Sequence, residues 1–182
     1  NVVMNQLFQF TPCEITVSMI NIALVNRQPR TMGLKELIQH FIEHRKEVIT
    51  RRTKFLLRKA QQRGHILEGL ILAVVDIDEV IKLIRAAPDA AAAREQLMGR
   101  AWPAKDVGPL VALIADPRHR LEDDGTIKLS EEQAKAILDL RLQRLTALGR
   151  DEINDEAEKL GLAIADYLDI LSSRGRVLTI IK

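Results

Sequence analysis

Cysteine and aromatic residues are scarce: Cys13, Trp102, Tyr167 and four phenylalanines are all that 182 residues contain. The lone Cys13 excludes an internal disulfide framework, fits a reducing cytosol, and is expected to be a small buried hydrophobe. No apolar run reaches transmembrane length and no signal peptide is recognised, so no membrane partner is expected. Charge of one sign is also missing. At +2 overall the chain is not a polycation, so any nucleic-acid argument has to be local. The first residue is Asn1 rather than Met, and the chain is expected to be a piece of something longer. What is present is aliphatic and charged, 47% hydrophobic with 29% Asp, Glu, Lys and Arg, the profile of a helical, partly coiled-coil protein. The length fits one domain or two small ones.

The longest uninterrupted signal is residues 34–75. No proline breaks it, and Leu34, Phe41, Val48 and Phe55 recur every seven residues, the period of a helix seam. At about 1.5 Å per residue such a helix runs roughly 60 Å. Ile38 and Ile66 share a heptad position with Arg45, Arg52 and Lys59, so cations occupy part of a second seam line. Between Arg45 and Arg63 there are eight Lys or Arg and one acid, Glu47. Gly64 and Gly69 each weaken a helix by about 1 kcal/mol relative to alanine, and a bend or close packing is expected near them.

Upstream, Thr11-Pro12-Cys13-Glu14 has the form of a capping box, although the β-branched residues that follow fit an extended chain equally well. Ile20, Ile22 and Leu24 alternate before the turn residues Asn26-Arg27-Gln28-Pro29, which predicts a hairpin around 20–32 and makes it the only expected sheet. Downstream, Asp76 or Asp78 can cap a short helix, Pro88-Asp89 starts another, residues 105–115 suggest a third, and 116–128 read as a loop. Ser130-Glu131-Glu132-Gln133 is a second capping box and opens a helix running to Leu148. That helix has two apolar faces: Ala134, Ile137, Leu138, Leu142, Leu145 and Leu148 on one arc, and Ala136, Leu140 and Ala147 opposite. A helix with two apolar faces is sandwiched, one face on its own domain and one available to a second protomer.

After Gly149, the residues Ile153, Ala157, Leu160, Ile164, Leu168 and Leu171 form another seam. Asp151, Glu152, Asp155, Glu156 and Glu158 crowd its start. An antiparallel return along the first helix brings these acids to the basic stretch, so Arg51 to Arg63 are expected to pair with 151–158 rather than with phosphates. The tail Arg174–Lys182 is a final helix or strand. The predicted class is therefore mainly α: a long antiparallel coiled-coil hairpin with a small helical domain at its tip and a small α/β piece at its base.

The stretches RRTKFLLRKAQQRGHILEGLILAVVDIDEVIKLIR (51–85) and LSEEQAKAILDLRLQRLTALGRDEI (129–153) resemble the A subunit of the bacterial DNA gyrase family, the type IIA DNA topoisomerases. NVVMNQLFQFT and QPRTMGLKELIQHFIEHR are similar to it too, so the resemblance covers essentially the whole chain. The wording ILDLRLQRLT favours gyrase over its relative topoisomerase IV. The resemblance implies a partial tower domain at 1–43, an outgoing coiled-coil helix at 44–75, an exit-gate domain at 76–149, and a returning helix at 150–182. It implies part of a breakage-reunion subunit in an ATP-dependent enzyme, an isomerase that introduces negative supercoils by double-strand passage. In such an enzyme this region acts as DNA exit gate and lever. The implied partners are a second copy through the gate, the B subunit of gyrase in a complex of two A and two B subunits, and double-stranded DNA. The implied location is the cytoplasm, on the nucleoid.

On that reading the dimer contact falls on Ala136, Ile137, Leu140, Arg141, Arg144 and Ala147, and DNA contact on Arg27, Arg30 and Lys35 in the tower-like part. None of these cations interleaves with aromatics, so single-strand stacking is not indicated. No catalytic residue and no metal ligand is assigned. The family's nucleophilic tyrosine belongs to a winged-helix domain, which is expected upstream of Asn1, and Tyr167 lacks those surroundings. Magnesium and ATP are implied only through the partner subunit, so the fragment alone is expected to be inactive.

Blander readings stand beside these. His40-Phe41-Ile42-Glu43-His44 matches H-x-x-E-H of one zinc peptidase class, but Phe41 and Ile42 lie on the seam and no third ligand follows. Two exposed histidines explain it better. Arg141 in the apolar arc reads as a salt-bridged or snorkelling side chain. Asp123-Asp124 reads as a solvated loop. The rival to the topoisomerase reading is a free-standing coiled-coil scaffold or chaperone, against which the incomplete-looking piece at 1–33 argues.

Overall fold

The structure, a computed structural model, describes residues 1–104, 125–140 and 147–182 and divides into two compact units, Asn1–Glu47 and Val48–Lys182. In the first unit, α1 (Val2–Phe10) is a helix with no buried residue. Thr11 ends it: the Thr11 backbone N–H and hydroxyl both donate to the Leu7 carbonyl, and Pro12 follows where it cannot continue the helix. The predicted helix start at Thr11 is thus a helix end. Cys13 is exposed, not buried, on the segment that follows.

The hairpin forms where it was expected. Strands β1 (Ile22–Val25) and β2 (Gln28–Thr31) pair antiparallel, with Ile22 opposite Thr31 and Val25 opposite Gln28. The two-residue turn between them puts Asn26 at φ 52° and Arg27 at φ 66°, the left-handed conformations that match the twist of the strands. Asparagine tolerates that region, whereas arginine there costs about 1–2 kcal/mol. Gly33 then donates its N–H to Glu36 Oε2 at 3.2 Å, capping the start of α2 (Leu34–Val75).

In the second unit, α2 buries Ile49, Thr53, Ala60, Gly64 and Leu67. The heptad line expected from the sequence is displaced by about one residue: Leu34, Phe41 and Phe55 are exposed, as is Ile38. From Leu67 to Val74 every residue is buried, because this run, Glu68 apart, is apolar and enters the helical cluster. That cluster holds α3 (Ile77–Ala86), α4 (Ala90–Gly99) and α5 (Glu131–Leu138). Asp76 sits at the N-cap of α3 without a side-chain bond, while Asp89 caps α4 by accepting from Ala92 N–H at 2.7 Å.

A second sheet joins them, contrary to the expectation of one. β3 (Ala101–Pro103) pairs antiparallel with β4 (Thr126–Lys128), Trp102 opposite Ile127, both buried. Their sequences are too short to alternate visibly. Pairing is supplied by burial, with the Trp102 indole N–H donating to the Leu97 carbonyl at 3.0 Å. The expected helix at 105–115 and Asp123-Asp124 lie outside the described residues.

The helix expected from Ser130 to Leu148 is not described as one piece: α5 ends at Leu138, where Leu140 N–H bonds the Ile137 carbonyl in a tightened last turn. The return helix α6 spans Ala147–Ser172, and the tail is helical, α7 (Arg174–Ile181), capped by the Ser173 hydroxyl accepting from Arg176 N–H. Arg176 ties α7 to α6 through Asp166 at 2.6 Å and Asp169 at 2.9 Å. The main core gathers Leu67, Leu97, Trp102, Ile127, Ala134 and Ile164. Among the described residues the architecture is mainly α, with long helices and two small antiparallel sheets.

Candidate functional site

The register of α2 against α6 decides what the charged residues can do. Ile49 shares one buried cluster with Ile170 and Val177, while Arg63 grips Glu156 with Nε at 2.6 Å from Oε1 and Nη2 at 2.9 Å from Oε2. Moving forward from Ile49 to Arg63 carries the partner back by the same number of residues, from Ile170 to Glu156, so the helices run antiparallel in one continuous register. Ile153, Ala157 and Ile164 are buried on the seam of α6, as expected. Leu168 is 41% exposed and off the seam, whose place there is taken by Ile170 and half-buried Tyr167. The hydrogen bond to Glu156 lifts the Arg63 guanidinium above its ordinary pKa, against the opposing effect of burial.

This register corrects the expected charge pairing. It sets the acids 151–158 level with residues 61–68, one to two turns past most of the basic run. Arg63 meets Glu156, but Arg52, Lys54, Arg58 and Lys59 remain exposed, as do Asp151, Glu152, Asp155 and Glu158. Apolar packing at Ile49 and Ile170 fixes the register, and surface charges are too weakly coupled to override it.

Where α2 enters the cluster, a polar clamp joins it to α5. Ser130 and Gln133 form the capping box: Ser130 Oγ accepts from Gln133 N–H at 3.2 Å, and Gln133 Oε1 accepts from Ser130 N–H at 2.9 Å. Each also reaches α2. Gln133 Nε2 donates to the His65 carbonyl at 2.7 Å, and Ser130 Oγ lies 2.8 Å from His65 Nε2. Gln133 and His65 are buried, with Glu68 nearby at 3.7 Å from His65 Nδ1. A Cβ on Gly69 would come within 2.7 Å of Gln133 Cβ, so glycine permits this approach. The close packing expected near Gly69 is present. The capping box was visible in the sequence, but nothing local showed that its side chains also bond α2.

The interface candidates are placed unevenly. Ala136 and Leu140 are half-buried and lean on the core. Ile137 is 4% exposed within its own chain. Arg141 and Arg144 lie outside the described residues, and Ala147 opens α6 with its side chain undescribed. In the first unit, Arg27 sits in the hairpin turn, Arg30 on β2 opposite Ala23, and Lys35 in the first turn of α2, all exposed. His40 and His44 are exposed on α2.

A further charged group braces the cluster. Glu79 accepts from Lys82 at 2.7 Å and Arg100 at 3.0 Å, and these bonds hold its carboxyl below its ordinary pKa. The Arg100 guanidinium lies 5.1 Å over the Trp102 ring. The role is structural.

The profile of the DNA gyrase/topoisomerase IV family, in its A subunit, matches residues 1–182. The DNA gyrase A subunit of Granulibacter bethesdensis is 46% identical over 182 residues, covering 100% of this chain and 19% of that protein. Its counterpart in Rickettsia bellii is 44% identical over 181 residues, and that of Pseudomonas aeruginosa 40% over 189, each covering 100% of this chain and 20% of the relative. The chain therefore spans about a fifth of the length of these curated relatives. Matched along its whole length by the family profile and at such identity by its relatives, the chain belongs to the family of A subunits of DNA gyrase and topoisomerase IV.

Proposed function

We propose that this chain works within the breakage-reunion subunit of a type II DNA topoisomerase, an ATP-dependent gyrase that introduces negative supercoils by double-strand passage. The observation that carries the reading is the family match over residues 1–182. In this proposal the chain is mechanical. The antiparallel pair of α2 and α6 is a lever whose apolar seam and Arg63–Glu156 bond resist sliding, and the helical cluster is a DNA exit gate that meets a second copy. The His65–Gln133–Ser130 clamp couples lever to gate, so a displacement of one is carried to the other.

The gate contact rests on Ala136, Ile137 and Leu140, with Arg141, Arg144 and Ala147 beyond them in sequence. Arg27, Arg30 and Lys35 would meet the phosphates of duplex DNA. The four domain segments, 1–43, 44–75, 76–149 and 150–182, belong to the same proposal. Tyr167 is half-buried and packed on the core, a poor position for a nucleophile. Among the described residues no group of three or more His, Cys, Asp or Glu could hold a metal. Magnesium and ATP would act through the B subunit of gyrase, and the enzyme would work in the cytoplasm on the nucleoid.

Sedimentation velocity tests the gate. A concentration-dependent dimer is expected, weakened at least tenfold by Leu140→Glu, since one charge against an apolar contact costs more than about 1.4 kcal/mol. A chain that stays monomeric throughout, or a dimer indifferent to both Leu140→Glu and Ala136→Glu, would refute the contact.

A further inference from the structure

Phe55 stands 63% exposed on α2. Among its neighbours on the helix face, three and four residues away, are Arg52, Arg58 and Lys59, and Lys54 adjoins it. All are exposed. From Val48 to Leu67 the sequence contains no Asp or Glu. This stretch lies wholly within the second unit. A surface helix that only needs solubility interleaves both signs, with acids spaced to meet the bases. Here Lys54 and Arg58 repel one turn apart, and the α6 register holds the acids 151–158 level with 61–68, beyond the exposed cations.

We propose that this stripe is a sequence-independent track for the phosphate backbone of duplex DNA. The inference rests on the topoisomerase reading above and adds a second surface to the one at Arg27, Arg30 and Lys35. A line of exposed cations fits a polyanion, and each phosphate contact releases counterions and adds salt-dependent affinity. A single aromatic among four cations makes no stacking platform, which argues against a single strand. An acidic protein would be anchored by clustered apolar side chains. Phe55 is the only large apolar residue exposed between 48 and 67, so it forms no such cluster.

The test is fluorescence anisotropy of a labelled, mixed-sequence duplex with the 182-residue chain over a series of KCl concentrations. Three variants are compared. One carries Arg52→Gln, Arg58→Gln and Lys59→Gln together, a second Arg27→Gln, Arg30→Gln and Lys35→Gln, and the third Phe55→Ala. Glutamine is a good helix former, and circular dichroism verifies the fold. The stripe variant is expected to flatten the slope of log K against log salt by about 0.9 per lost contact, with Phe55→Ala nearly silent. An unchanged slope in the stripe variant overturns the inference. If only the Arg27, Arg30 and Lys35 variant loses binding, the topoisomerase contact stands and the stripe falls. A wild-type chain that binds polyglutamate as tightly as duplex, with Phe55→Ala abolishing it, makes the stripe a protein-docking face and also overturns the inference.

Discussion

Replacing Gly69 by alanine is expected to destabilise the second unit, although alanine is the better helix former. In an open helix the change would gain about 1 kcal/mol. Here the added Cβ would sit 2.7 Å from Gln133 Cβ and 2.8 Å from Cγ, both closer than carbon atoms can approach. Gln133 cannot swing aside cheaply. It is 1% exposed, accepts from Ser130 N–H at 2.9 Å, and donates to the His65 carbonyl at 2.7 Å. Relief requires either moving α5 away from α2, an overpacking cost of about 1–3 kcal/mol, or breaking a buried hydrogen bond, about 1–3 kcal/mol. After the propensity gain, a net loss of up to about 2 kcal/mol is expected, which lowers the melting temperature by a few degrees at about 2–4 °C per kcal/mol. Urea and thermal denaturation followed by circular dichroism measure it. Gly99→Ala is the control: nothing lies within 4 Å of its Cβ, so it should be neutral or stabilising by up to about 1 kcal/mol. If Gly69→Ala melts at or above the wild-type temperature, the account of the clamp is wrong.

Ser130→Ala removes an N-cap and a partner of His65 together, and should cost about 1–2 kcal/mol in urea denaturation; a loss below a few tenths would show that the clamp contributes little. A double-mutant cycle on Arg63 and Glu156, whose side chains are 41% and 40% exposed, should give a coupling of about 0.5–1 kcal/mol, reduced by salt. Salt-independent coupling would contradict an electrostatic origin. Glu79 has its carboxyl held below its ordinary 4.5, by the Lys82 bond first and the Arg100 bond second. A depressed folded value means the stabilisation is present at neutral pH and fades as pH falls through that value. Glu79→Gln should therefore narrow the difference in urea midpoint between neutral and acid pH, and an unchanged difference would refute the assignment.

Much of the fold was legible because its signals are local. The capping box at Ser130, the N-cap at Asp89, the turn at Asn26-Arg27 and the uninterrupted stretch 34–75 each depend on residues within a few positions of one another. What escaped depended on distant partners. The strands around Trp102 and Ile127 are too short to announce themselves and pair only because burial brings them together. Thr11 could start a helix or end one, and α1 before it made the choice. Cys13 was expected inside on composition alone, and no element covers it.

The candidate site divides along the same line. That α2 and α6 run antiparallel, and that acids and bases face each other somewhere along them, follows from sequence. Which residues meet does not. Two seam lines one residue apart have nearly the same apolar content, and only the packing of Ile49 with Ile170 selects between them. That selection exposes Phe55, separates the acids from Arg52, Arg58 and Lys59, and leaves Arg63 on Glu156. Likewise Ile137 and Leu140 look equivalent as apolar residues of one helix, yet the core closes over Ile137 and only half-covers Leu140. Sequence alone determined the long helices, the caps at Asp89 and Ser130, and the family. Tertiary structure decided register and face, because apolar burial, at roughly 25 cal/mol per Å², outweighs exposed charge pairing and can be counted only once both surfaces are in place.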